Sequence, residues 1–63
     1  MVYIALLDNM IFYLGNDAQM EEYLSIGACI YRETAGVKEL IATPDKGFIV
    51  ERPVFPRTGG RTE

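Results

Sequence analysis

The sequence predicts an α+β domain in the order β-β-α-β-β-β. It should form a five-stranded antiparallel sheet or half-open barrel with one short helix packed on it. Three observations predict this. Only Asn16 to Gly27 (NDAQMEEYLSIG) has the spacing of an amphipathic helix. The flanking segments are short and rich in β-branched and aromatic residues. Turn-forming residues separate them: Asp8-Asn9, Thr34-Ala35-Gly36-Val37 and Pro44-Asp45-Lys46-Gly47.

The first two strands are VYIALL (Val2 to Leu7) and MIFYL (Met10 to Leu14). Asp8 and Asn9 both tolerate positive φ, so a two-residue turn joins them. That turn sets Leu7 opposite Met10, Ala5 opposite Phe12 and Tyr3 opposite Leu14. Val2, Ile4, Leu6, Ile11 and Tyr13 fall on the other face. Both faces are apolar, and one helix can cover only one.

The helix has a start, a face and a stop. The Asn16 side chain can accept from an amide two or three residues on. Gln19 can reach back as in a capping box. Asp17, Glu21 and Glu22 suit the positive end of the helix dipole. Met20, Tyr23, Leu24 and Gly27 line one side, and Gly27 can take the left-handed conformation that ends a helix.

The third strand is ACIYRE (Ala28 to Glu33). Charge selects a four-residue loop after it, which places Glu33 opposite Lys38 and Arg32 opposite Glu39. The fourth strand is KELIAT (Lys38 to Thr43) and the fifth FIVER (Phe48 to Arg52). The Pro44–Gly47 turn, with Gly47 left-handed, pairs Thr43 with Phe48, Ile41 with Val50 and Glu39 with Arg52. Ala28, Ile30, Ile41, Phe48 and Val50 then share one face, edged by a charged row of Arg32, Glu39 and Arg52. Cys29, Tyr31, Leu40, Ala42 and Ile49 share the other.

The chain has 63 residues, enough for one domain over 1–52, with a Pro/Gly-containing basic tail over 53–63. Pro53, Pro56 and Gly59-Gly60 mark the tail as flexible, though Val54 and Phe55 can pack back on the body. A domain of this size buries only roughly 60% of its unfolded surface, so it gains from a partner. One Cys and no His exclude an internal disulfide and disfavour a zinc site. A reducing, cytoplasmic setting follows from the lack of a disulfide framework. No signal peptide or membrane span is expected.

The formal net charge is −3. Up to Glu51 there are eight acids against three bases; beyond it, Arg52, Arg57 and Arg61 face only Glu63. An acidic body argues against wrapping nucleic acid. Cys29 has no His to activate it and reads as a small buried hydrophobe. Asp17 and Glu21 lie four apart and could share a hard metal ion, but a solvated helix face explains them as well. No catalytic, cofactor or metal site is expected.

These features predict a non-enzymatic interaction module, an adaptor or inhibitor of the kind encoded by phages and mobile elements. It would act through an apolar sheet face or its acidic surface. Its expected partners are a second copy of itself, as a homodimer, or another protein. The interface candidates are Tyr31, Leu40, Ala42, Ile49, Tyr13 and Ile11, with tail contacts from Phe55, Arg57 and Arg61. The alternative is nucleic-acid binding through the basic tail and exposed tyrosines.

Overall fold

A computed structural model describes residues 1–55. The elements are β1 (Val2–Leu7), β2 (Met10–Leu14), α1 (Asp17–Ser25), β3 (Cys29–Thr34), β4 (Val37–Thr43) and β5 (Gly47–Phe48). The five strands form one open antiparallel sheet in the order β2-β1-β3-β4-β5. This is the α+β arrangement the sequence predicts.

Turn chemistry sets each register. Asp8 (φ 53°) and Asn9 (φ 65°) are both left-handed, the geometry whose twist matches a two-residue hairpin. Leu7, Ala5 and Tyr3 therefore face Met10, Phe12 and Leu14, as expected. Ala35 (φ 52°) and Gly36 (φ 82°) make the same kind of turn between β3 and β4. The loop is thus two residues long rather than four, because Thr34 and Val37 also pair. The expected partners, Arg32 with Glu39 and Glu33 with Lys38, are unchanged by this.

The far side of the sheet departs from expectation twice. Ile30 faces Ala42 while Tyr31 faces Leu40, so Ile41 is an extra, bulged residue. Then Thr43 pairs with Gly47 and Ala42 with Phe48. The loop is three residues, Pro44 to Lys46, closed by left-handed Gly47 (φ 75°). The Lys46 amide donates to Thr43 Oγ1 at 3.1 Å. The pairs Thr43–Phe48, Ile41–Val50 and Glu39–Arg52 do not form, and β5 is two residues instead of five. After Phe48 the Ile49 amide donates to the Ile41 carbonyl at 3.0 Å, and the ladder stops.

The core lies between α1 and one sheet face. Met20 is fully buried there with Tyr3, Ala5, Leu14, Ala28, Ile30, Ile41 and Ala42. Phe12 stacks on Tyr23 with ring centroids 5.2 Å apart. Both helix ends are satisfied. Asn16 Oδ1 accepts from the Gln19 amide at 2.8 Å, and Gln19 Oε1 accepts from the Gly15 amide at 2.6 Å. The reach-back goes one residue beyond the cap. At the other end Gly27 (φ 101°) donates to the Leu24 carbonyl and Ala28 to that of Tyr23. Those two bonds are the Schellman pattern expected of a glycine stop.

The segment after β5 returns to the helix side. Phe55 packs on the Tyr3 ring at 4.9 Å between centroids, whereas Val54 is 89% exposed. The remaining tail, with Arg57, Arg61 and the expected flexibility, lies outside the described residues. No helix among the described residues is long and apolar enough to cross a membrane.

Candidate functional site

Residues directly opposite one another on antiparallel strands share a face. Tyr13, Ile4, Tyr31 and Leu40 therefore form a row across β2, β1, β3 and β4, on the side away from α1. Ile11, Leu6 and Cys29 form a second row beside it. Val2, Glu33 and Lys38 form a third, which ends the apolar surface with charge. Tyr13 is 71% exposed and Ile11 48% exposed, while Ile4 at the centre is 1% exposed. Ile4 does not belong to the helix-covered core. The rows thus shield their own middle and present their rim to solvent.

Of the interface candidates, Tyr13, Ile11, Tyr31 and Leu40 are brought together on this face. Ala42 is not. The bulge at Ile41 turns it to the covered side, where it is fully buried opposite Ile30. Ile49 is half exposed and stands beside the face. With Cys29, Leu40, Pro44, Asp45 and Lys46 it lines a hollow of about 400 Å³. Cys29 is a free, half-buried thiol.

The charged groups sit elsewhere. Arg32 pairs with Glu39 as expected. Glu39, and next the Tyr3 hydroxyl, hold the Arg32 guanidinium charged, with its pKa above the usual arginine value. The third member of the expected row is missing because the β4–β5 ladder ends at Phe48. Arg52 instead reaches α1. Its Nη2 donates to both Asp17 carboxylate oxygens at 2.8 Å and pairs with Glu21, while the guanidinium lies 5.0 Å over the Phe48 ring. Asp17 first and Glu21 second raise its pKa. Asp17 and Glu21 therefore converge on an arginine. Among the described residues, no group of three or more His, Cys, Asp or Glu comes together.

Two features escaped the sequence reading. The Arg52 bridge spans 35 positions, and no local pattern announces it. The outer edge of β2 did leave a signal: MIFYL contains neither charge nor proline. Comparison of the chain with protein-family models, curated proteins and solved structures finds no match.

Proposed function

We propose that this chain is a non-enzymatic protein-interaction module that works through the helix-free face of its sheet. The observation that carries this is the row Tyr13–Ile4–Tyr31–Leu40, apolar across four strands and strongly exposed at its Tyr13 end. An apolar surface of this kind gains by being covered. The partner is a second copy or another protein, in an adaptor or inhibitor role, and the single unpaired cysteine fits a cytoplasmic setting.

The test is sedimentation at micromolar concentration together with binding of a hydrophobic dye. The chain should associate beyond its 7.1 kDa monomer, or bind dye as a monomer. Leu40→Glu places a charge in the row and should abolish the dye signal. A monomer that binds no dye overturns the reading. Salt-sensitive binding to single-stranded DNA would move the function to nucleic acid instead.

A further inference from the structure

The two outer edges of the sheet are built differently. On the β4 side, β5 covers Ala42 and Thr43, the Ile49 amide takes the Ile41 carbonyl, and Ile41 is bulged. The uncovered part of β4 carries Lys38 and Glu39. Short cover, a bulge and charge are the devices that keep an edge from pairing. β2 has none of them. Its register with β1 is unbroken, it carries no charge, and Met10, Ile11 and Tyr13 are 57%, 48% and 71% exposed.

Hairpin geometry decides which of its groups are free. A two-residue turn makes Leu7 and Met10 a hydrogen-bonded pair. Alternation then makes Ala5–Phe12 and Tyr3–Leu14 hydrogen-bonded pairs as well. The amides and carbonyls of Ile11 and Tyr13 therefore point outward, away from β1. Gly15, the next outward position, already gives its amide to Gln19 Oε1 at 2.6 Å.

We propose that β2 pairs antiparallel with β2 of a second copy, across a two-fold axis at Phe12, to make one continuous sheet from both chains. Ile11 then lies opposite the partner's Tyr13, and Tyr13 opposite the partner's Ile11. Each of these pairs exchanges both of its backbone hydrogen bonds. Phe12 meets the partner's Phe12 in the close, unbonded pair between them, where Cα atoms lie about 4.5 Å apart. Since Phe12 already stacks on Tyr23, aromatic contact continues from one helix to the other.

A second copy fits this edge for two reasons. An uncharged apolar ladder is best matched by another one, and each copy supplies it. The register that uses both outward residues of one strand also uses both outward residues of the other, which is what two-fold symmetry requires. A five-residue strand is only about 17 Å long, which limits the buried area. The contact falls below the ~800 Å² per partner of a standard interface, so the dimer should dissociate on dilution. An axis normal to the sheet keeps both helices on one side and joins the two helix-free faces on the other. The inference rests on the interaction reading above, and adds the atoms through which copies join.

Sedimentation equilibrium of the full chain over a concentration series tests it, with circular dichroism to confirm folding. Ile11→Lys with Tyr13→Lys places lysine opposite lysine and should weaken the dimer about tenfold or more. Ile11→Lys with Tyr13→Glu places opposite charges across the axis and should stay within about threefold of wild type. Tyr13→Pro removes the ring and an outward amide but no amide bonded to β1, so β1 pairing survives while association weakens. Leu40→Glu alters the face but not the edge and should still dimerise. A wild-type chain that is monomeric throughout overturns the proposal. So does equal splitting by both double variants, or a dimer lost only with Leu40→Glu. A monomer that still binds hydrophobic dye overturns the edge pairing alone; one that binds none overturns the interaction reading too.

Discussion

Gly47 holds φ at +75°, and a Cβ built there meets nothing within 4 Å. Any cost of a larger residue is therefore backbone strain, not collision. Gly47→Val should destabilise by about 1–2 kcal/mol, read from chemical denaturation. An unchanged midpoint would show that the turn does not need the left-handed conformation. The left-handed glycine was legible from Pro-Asp-Lys-Gly, but the loop length was not. The same Gly can close a loop of three residues or lie inside one of four. Alone, that one-residue shift would move Phe48 to the opposite face, but the bulge at Ile41 offsets it and Phe48 stays on the covered side, as expected. Arg52 leaves Glu39 because the ladder ends at Phe48. Ala42 was misplaced for a separate reason: the bulge at Ile41 lets two consecutive residues be buried, and no alternation pattern shows it.

Among the elements, α1 was read almost to the residue, since caps are chemical signals that lie within a few positions of one another. Its nine residues are too few to be stable alone in water. It is held by Met20 against the sheet and by its cap bonds. Asn16→Ala removes the acceptor of the Gln19 amide and should cost about 1 kcal/mol. Hydrogen exchange should show the loss first at the Gln19 amide. Unaltered protection there would mean that the Gly15–Gln19 bond alone holds the first turn. The β1–β2 register was legible because turn and composition agree. β5 was not, because FIVER has strand composition but turns away after Phe48 to bring Arg52 to the helix. The open face was legible in outline for the same reason as the hairpin: alternation survives wherever the ladder is unbroken.

For the whole molecule, a chain of this length has roughly 3–9 kcal/mol of stability. That margin rests on a core closed by contacts between distant parts, such as Phe55 on Tyr3, which composition alone does not reveal. The strand order places β1 in the middle, paired with its sequence neighbour on one side and with β3 on the other. The turns of the three hairpins close over two, two and three residues, whereas 22 residues separate Leu6 from its partner Cys29. Ring closure makes that seam roughly 2 kcal/mol harder to start than a hairpin. Time therefore divides unevenly along the chain: hairpins form within microseconds, and the rate of the whole is set where β1 finds β3. Ile30→Val, on that seam, should slow refolding in stopped-flow mixing, while Gly47→Val should mainly quicken unfolding. The reverse pattern would put the barrier at the far hairpin. A central first strand thus makes the speed of folding a property of one seam, and leaves β2 and β5 free to change without altering the pace.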